Sequence, residues 1–172
     1  MKQIIKVKMI NSLLPVPEII EKGDWIDLRA SEDMELNGPY AIQARKDRER
    51  VVNFDHTVIP LGVAIQLPKG YEAVVNPRSS IFKNYSVMLV NSQGIIDNTY
   101  CGDEDQWFMH VIAFKDSTIN EGDRICQFRI QLSQRATVWQ KIKWLFSNGV
   151  KIKVVDSLNK DSRGGHGSTG IK

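Results

Sequence analysis

Short apolar segments with a period of two, separated by turn residues, constrain the fold of this chain more than any other feature. Val63, Ile65 and Leu67 occupy alternate positions, a turn follows at residues 68–70, and the alternation resumes at Tyr71. Successive side chains of a β-strand point to opposite faces, so this pattern predicts strands that each bury one face. Because the pattern recurs along most of the chain, it predicts an all-β fold.

Two short segments interrupt this pattern and predict helices. After the strand that ends near residue 77, Ser79 or Ser80 can cap a short helix that runs through Asn84. Residues 134–148 break the β rhythm, because three of their apolar residues are spaced three and four apart. These are Trp139, Ile142 and Phe146. The second segment is therefore predicted to be an amphipathic helix.

Composition limits the classes of function. The chain has 172 residues, with 42% hydrophobic and 25% charged residues, which is typical of one soluble globular domain. Its net charge of +3 is too small for the many phosphate contacts of duplex DNA binding. It suits a small polyanionic ligand instead. We therefore expect no direct nucleic-acid binding.

The cysteines and the apolar runs bear on where the protein works. Cys101 and Cys126 lack the spacing of metal ligands, so we expect reduced thiols in a cytoplasmic protein. Lysines interrupt the apolar residues at the N-terminus, which predicts a first strand instead of a targeting segment. No apolar run approaches the length that spans a bilayer.

Residues 91–102 lie between two apolar runs and contain several turn-forming residues. If they form a hairpin, its mouth holds Asn91, Asp97 and Tyr100 around one small cavity. An amide, a carboxylate and an aromatic ring could hold a planar ligand and activate a water. A solvated turn that happens to contain an aspartate is the alternative, and this stretch alone favours it.

Two other stretches could bind phosphates. The predicted helix start beside Arg78 offers unpaired N–H groups to an anion, although a capped turn with a surface arginine explains the same residues. The glycine-rich C-terminus could wrap phosphates with Arg163, Ser168 and Thr169. Its alternative is a disordered terminus.

Taken together, these segments resemble the homotrimeric dUTP nucleotidohydrolases (dUTPases) over nearly the whole chain. Five family motifs occur in order: DLRA at 27–30, PRSS at 77–80, GIIDNTYCG at 94–102, GDRICQ at 122–127 and RGGHGSTG at 163–170. An extra segment at 134–149, between the fourth and fifth motifs, makes the chain look closest to phage-encoded members. The resemblance implies a distorted jelly-roll or β-barrel subunit, with three active sites at the subunit boundaries of a trimer.

The resemblance also implies a reaction, the cleavage of dUTP to dUMP and pyrophosphate by in-line attack of water on the α-phosphorus. This activity keeps uracil out of DNA and supplies dUMP. Asp97 matches the carboxylate that orients and deprotonates the water. Asn91 and the backbone at Gly94 and Ile96 would bind the edge of uracil, and Tyr100 would pack under the deoxyribose.

The remaining motifs are expected to bind the triphosphate. Four residues match phosphate contacts: Arg78, Ser79, Ser80 and Gln127. The phosphates and waters would hold Mg²⁺, with Asp27 as an indirect anchor through water. From the predicted lid at 161–172, Arg163, Gly167, Ser168 and Thr169 would contact the substrate, and His166 would lie over the base.

Three departures from the family pattern bear on these expectations. His166 stands where phenylalanine is usual, and Thr99 replaces a frequent acidic residue beside Asp97. The turn at 102–105 is unusually acidic and is interpreted as a solvated turn.

Two further hypotheses remain open. dCTP deaminase shares the fold and the Arg-Ser-Ser sequence, but the 91–102 stretch and the tail fit dUTPase better. The chain also resembles phage dUTPases that bind repressor proteins, so the aromatic segment 134–148 is a candidate contact for such a partner. Packing of that segment on its own subunit is the alternative.

Overall fold

The computed structural model describes residues 2–19, 23–43 and 50–164. These residues form thirteen strands and two helices. In chain order they are β1 Gln3–Met9, β2 Ile26–Arg29, β3 Met34–Leu36, β4 Tyr40–Gln43, β5 Arg50–Asn53, β6 His56–Gln66, β7 Tyr71–Pro77, α1 Ile81–Tyr85, β8 Val87–Leu89, β9 Gly94–Asp97, β10 Gln106–Ala113, β11 Ser117–Ile119, β12 Arg124–Leu132, α2 Val138–Leu145 and β13 Val150–Val154. The predicted all-β class is confirmed.

Two larger sheets carry most of these strands. One has the order β13-β1-β6-β10-β8 and the other the order β2-β12-β7-β9, while β3 with β11 and β4 with β5 form two-stranded sheets. The described sheets do not close into a barrel, so the arrangement is jelly-roll-like. β13 pairs with β1 in parallel, which places the strand that precedes the C-terminal segment beside the first strand of the chain.

The inward faces of both sheets contribute to one hydrophobic core. Every second residue of β10 is buried, as the period of two predicts. Trp107 of β10 meets Phe128 of β12 edge to face, with ring centroids 5.2 Å apart. This aromatic pair joins the two sheets, and both side chains are at most 1% exposed.

Two connections lead from one large sheet to the other. The turn at 68–70 leads from β6 in the five-stranded sheet to β7 in the four-stranded sheet, so it crosses between sheets. β8 and β10 pair antiparallel, but the chain between them leaves that sheet and adds β9 to the edge of the other one. The prediction of a simple hairpin at 91–102 is therefore wrong, because this stretch contains a strand of its own.

Both predicted helices form, with local differences. Ser80 is the residue that precedes α1, but its side chain makes no capping hydrogen bond. Its backbone angles are helical (φ −87°, ψ −6°), whereas a capping serine normally has an extended backbone that turns its oxygen toward the helix N–H groups. The predicted helix is present, but the prediction that a serine side chain caps it is wrong.

α2 packs on its own subunit through Gln140 and Trp144. A capping box between Thr137 and Gln140 begins the helix, and the Gln140 amide donates to the Lys69 carbonyl at 2.8 Å. Trp144 packs on Tyr71 with ring centroids 5.4 Å apart. Because these contacts fix the rotation of the helix, Trp139 remains 80% exposed. Neither described helix is long and apolar enough to cross a membrane.

Because Phe128 belongs to the buried aromatic pair, its replacement should lower the free energy of unfolding much more than replacement of an exposed phenylalanine. Phe128→Ala should lower the free energy of unfolding by about 3–5 kcal/mol, because it removes buried contacts and leaves a cavity. Phe146→Ala, at a side chain that is 76% exposed, should change it by less than about 0.5 kcal/mol. Urea denaturation followed by tryptophan fluorescence measures both. Equal losses would show that Phe128 does not hold the two sheets together.

Candidate active site

Two groups of ionic contacts contain the described aspartate and arginine candidates, and the first is centred on Asp27. Ile26 and Leu28 point into the core, so Asp27 between them points outward. Its Oδ1 forms an ion pair with Arg78 Nε at 3.1 Å, and its Oδ2 accepts a hydrogen bond from Arg124 Nη1 at 3.1 Å. We call Asp27, Arg78 and Arg124 the Asp27 cluster. The cluster adds Arg124, which the sequence reasoning missed.

The other predicted phosphate contacts surround this cluster. Gln127 lies opposite Asp27 in the β2–β12 register. Arg78 follows the last residue of β7, and its carbonyl accepts from the Ile81 N–H at 3.0 Å in the turn that starts α1. Ser79 on this turn is exposed. The second and fourth motifs therefore meet the first motif at one end of the four-stranded sheet.

The carboxylates of the described residues fit an indirectly held magnesium ion better than a directly bound one. The described residues contain no group of three His, Cys, Asp or Glu side chains that could hold a metal. Asp27 already pairs with two arginines, although its carboxylate oxygens have further lone pairs that can accept from a metal-bound water. The residues present are thus compatible with a Mg²⁺ ion that the nucleotide phosphates carry.

The second group of contacts is centred on Asp97, the last residue of β9. Its Oδ1 accepts from the Thr99 N–H at 2.7 Å and from the Thr99 hydroxyl. Its Oδ2 accepts from Arg163 Nη1 at 2.6 Å, and the same guanidinium donates to Thr99 Oγ1 at 2.6 Å. We call Asp97, Thr99 and Arg163 the Asp97 cluster. Sequence reasoning selected Asp97 and Arg163 separately but did not predict that they pair.

These donors set the protonation of Asp97. Burial alone raises the pKa of this carboxyl, but the hydrogen bonds from Thr99 and the Arg163 guanidinium outweigh burial and hold the pKa below its usual value. Asp97 is therefore an ionised carboxylate at neutral pH. A carboxylate of this kind can orient a water and accept its proton once the water comes within hydrogen-bond distance.

The residues predicted to bind the base and sugar lie close to Asp97 along the chain. Asn91 is exposed after β8, Gly94 begins β9, and Ile96 precedes Asp97 with a half-buried side chain. The Tyr100 hydroxyl donates to the Gln106 carbonyl at 2.8 Å, which fixes the ring direction. The structure thus places the third motif along one edge strand and the turn that follows it.

The two clusters do not converge within one chain. Asp97 lies opposite Glu72 in the β7–β9 register, whereas Arg78 follows the other end of β7. From Glu72 to Arg78 the chain advances by six residues in extended conformation, which corresponds to about 20 Å. A single chain therefore holds both halves of the predicted site at a distance too large for one α-phosphorus to contact both.

An open groove of about 1050 Å³ lies beside the Asp97 cluster. Its walls include the turn before β7 and the start of the 134–149 segment, and three of its lining residues carry a positive charge. These are Lys69, Arg135 and Arg163. Sequence reasoning missed Lys69 and Arg135, because neither belongs to a motif and the fold alone brings them beside Asp97.

The acidic turn at 102–105 is not a solvated turn. Asp105 is only 1% exposed, and Asp103 accepts from the Leu158 N–H at 2.8 Å and from the Ser157 hydroxyl at 2.7 Å. The interpretation from sequence is wrong because it treated charge as a sign of exposure. The carboxylates here bind N–H and O–H groups of residues 157–163, which a sequence pattern cannot reveal.

Part of the predicted lid lies outside the described residues. This holds for His166, Gly167, Ser168 and Thr169. Arg163 is described, and it contacts Asp97 in this structure.

Comparisons with known proteins give the same family as the motifs. The dUTPase family model matches residues 34–143. The chain is 44% identical over 168 residues to the SPbeta prophage-derived deoxyuridine 5'-triphosphate nucleotidohydrolase of Bacillus subtilis strain 168. That match covers 98% of this chain and 99% of the relative.

Two solved structures share the fold. The dUTPase mutant from phage phi11 of S. aureus, described with a structural Mg(II) ion, has 17% identity and a TM-score of 0.59, with 78% of this chain and 94% of that chain covered. A dUTPase mutant of Staphylococcus bacteriophage 80alpha with dUpNHpp has 16% identity and a TM-score of 0.58, with 78% and 93% covered. The latter was described among phage dUTPases that control transfer of virulence genes by a proto-oncogenic G protein-like mechanism.

The hydrogen bonds to Asp97 predict how its pKa responds to substitution. Thr99→Val removes the hydroxyl donor and keeps the backbone N–H, so the pKa of Asp97 should rise toward its usual value. Thr118→Val, at an exposed position of β11, should leave it unchanged. A pH titration of the Asp97 carboxyl carbon by NMR measures both. An unshifted Asp97 in Thr99→Val would show that the threonine hydroxyl does not stabilise the carboxylate.

Proposed function

The chain belongs to the dUTPase family and is a dUTP diphosphatase, and we propose that Asp97 holds and deprotonates the water that attacks the α-phosphorus. The observation that carries this proposal is the ionised Asp97 carboxylate at the end of β9, with its pKa held low by Thr99 and Arg163. A base held on a strand end keeps a constant direction toward a bound substrate. The products would be dUMP and pyrophosphate.

The residues around Asp27 supply positive charge and hydrogen-bond donors to the triphosphate. Arg78 offers a planar guanidinium that matches phosphate oxygens, and Ser79, Ser80 and Gln127 offer neutral donors. Asp27 orients Arg78 through the 3.1 Å contact, so the guanidinium is already directed before the substrate binds. Mg²⁺, when bound with the nucleotide, would neutralise phosphate charge, and Asp27 would contact it only through water.

Selectivity for deoxyuridine would come from the third motif. Asn91 and the backbone at Gly94 and Ile96 would bind the polar edge of uracil. The Tyr100 ring, fixed by its hydrogen bond to Gln106, would pack under the deoxyribose. Arg163 would move from Asp97 to the phosphates, with His166, Gly167, Ser168 and Thr169 completing the contacts of the tail.

We propose a homotrimer in which each active site draws residues from different subunits. The distance of about 20 Å along β7 supports this, because Asp97 and Arg78 of one chain cannot both reach one α-phosphorus. Rotational symmetry repeats the same interface, so it can place Asp97 of one subunit beside Arg78 of another at every interface.

The catalytic assignment predicts a sharp loss of turnover in Asp97→Asn. Pyrophosphate release from dUTP should fall by about a hundredfold to ten-thousandfold, because the amide cannot accept the proton of water. The Asp97→Asn variant should still bind dUTP, as measured by calorimetry. Asp24→Asn, which makes the same change at an exposed site, should keep the normal rate. A near-normal rate in Asp97→Asn would contradict the assignment.

The substrate is tested with a panel of dUTP and the four common deoxynucleoside triphosphates. We expect pyrophosphate from dUTP and no ammonia from dCTP. Release of ammonia from dCTP would favour the deaminase alternative of the same fold.

The shared site predicts complementation between two inactive variants. Asp97→Asn and Arg78→Ala should each be nearly inactive alone. After mixed unfolding and refolding, activity should return to about a quarter of the wild-type rate, because each site draws its two halves independently from the mixture. Mixing the folded variants without exchange of subunits is the control. If refolded mixtures stay inactive, each active site lies within one chain.

A second role is supported by the exposed face of α2. Trp139 is 80% exposed and Phe146 76%, which is unusual for aromatic side chains. We propose that this face contacts a repressor protein, in line with the gene-transfer control described for the 80alpha enzyme. Trp144 does not belong to this face, because it packs on Tyr71.

The packing of α2 predicts which aromatic residues a repressor would need. The double variant Trp139→Ala with Phe146→Ala should weaken repressor binding at least about tenfold, as loss of exposed aromatic contacts does at interfaces. Its dUTP hydrolysis should stay normal. Trp144→Ala should instead lower the unfolding midpoint. Titration with a labelled phage repressor protein measures binding, and unchanged affinity of the double variant would exclude this face.

A further inference from the structure

The buried Asp105 carboxylate is fully occupied by its own turn and by the C-terminal segment, residues 157–164. Oδ1 accepts from the Ser162 hydroxyl at 2.5 Å, and both oxygens accept from the Arg163 N–H at 3.2 Å. Oδ2 also accepts from the Gly102 N–H at 2.8 Å. A carboxylate that is 1% exposed and has several donors holds those donors in one geometry.

The backbone of the C-terminal segment fits closely against this turn. A Cβ atom at Gly102 would lie 2.5 Å from Ser162 Cα and 2.7 Å from the Asp161 carbonyl oxygen. Only glycine leaves room for the segment to pass. Asp103 holds the same segment further upstream, through Ser157 and Leu158.

Arg163 is therefore held at both of its ends. Its N–H is bound by Asp105, and its guanidinium is bound by Asp97 at 2.6 Å and Thr99 at 2.6 Å. The side chain between these contacts lies at the surface, where an arginine without a fixed backbone would sample many rotamers.

We propose that Asp105 is a positioning residue for dUTP hydrolysis, which fixes the backbone of Arg163 so that its guanidinium is presented at the Asp97 carboxylate. The inference rests on the proposed role of Asp97. Asp105 does not touch the substrate, and it acts through Arg163 alone.

In this geometry, the Arg163 guanidinium can bind two acceptors one after the other. Before the nucleotide binds, the guanidinium neutralises the Asp97 carboxylate. A phosphate oxygen is a competing acceptor that matches the planar guanidinium, so an entering triphosphate can draw Arg163 from Asp97. Because Asp105 holds the backbone, this exchange needs only side-chain rotation, and Asp97 is released for its water as the phosphates arrive.

The test compares Asp105→Asn with Glu104→Gln in the full-length protein. Both changes remove one negative charge from the same turn, but Glu104 is exposed and makes no side-chain hydrogen bond among the described residues. Asp105→Asn should lower kcat/KM for dUTP by about tenfold to a hundredfold, since small misplacements of a catalytic contact have effects of this size. Glu104→Gln should keep the wild-type value.

Three readouts separate positioning from general loss of structure. In Asp105→Asn, the pKa of Asp97 measured by NMR should rise as it does in Arg163→Ala, because the same guanidinium is lost. Hydrogen exchange of the amides at residues 162–164 should speed up while the β-sheet amides keep their protection. The double variant with Arg163→Ala should be no slower than Arg163→Ala alone, since both act through one residue.

Milder variants keep the inference testable if Asp105→Asn does not fold. Ser162→Ala removes one donor to Asp105, and Gly102→Ala pushes the segment away without changing charge. Both should raise the pKa of Asp97 and speed exchange at 162–164. An unchanged pKa and exchange rate in these variants would overturn the inference, as would additive losses with Arg163→Ala.

The failure of this inference is distinguishable from a failure of the proposed function. If the wild-type protein did not hydrolyse dUTP, or if Asp97→Asn were fully active, the proposed function would fail. If Asp97→Asn is inactive but Asp105→Asn has a normal kcat/KM, only the positioning role is overturned.

Discussion

The pairing of β7 with β9 on one side and β12 on the other determines where the candidate active site lies. The register places Asp97 opposite the start of β7 and brings the second and fourth motifs together at its far end. One edge of this sheet therefore carries the carboxylate that would activate water, and one end carries the arginine that would bind phosphate. Hydrogen bonding within the sheet fixes their separation, and the proposed trimer would bring both kinds of residue to one substrate.

Each carboxylate that matters for the proposed chemistry is already paired with an arginine. Asp27 pairs with Arg78 and Arg124, and Asp97 pairs with Arg163. These pairs neutralise charge and fix side-chain direction. A triphosphate competes for the same guanidinium groups, so its binding would exchange carboxylate–arginine contacts for phosphate–arginine contacts. Such an exchange would allow a chain with a net charge of only +3 to bind a polyanionic ligand.

Local patterns predicted what depends on neighbouring residues in the chain. The alternation of Val63, Ile65 and Leu67 correctly predicted side chains that face the core, since all three are buried. The class of fold followed from the same period of two. The pairing of β9 with β7 could not be predicted, because the pattern of residues 94–97 is too short to distinguish a turn from an edge strand. The spacing of residues within α2 also could not predict which side of the helix is exposed. Trp144 and Gln140 contact residues that only the tertiary fold brings close to them.

The acidic turn shows most clearly why charge in a sequence does not determine exposure. Asp103 and Asp105 bind N–H and hydroxyl groups of a segment more than fifty residues later in the chain. Burial raises the pKa of Asp105, but the hydrogen bonds from Ser162, Gly102 and Arg163 outweigh burial and hold it below its usual value. A buried carboxylate is stable only when such donors are present, and here Ser162 and Arg163 of the C-terminal segment supply two of them. The stability of the turn and the position of Arg163 therefore depend on the same hydrogen bonds.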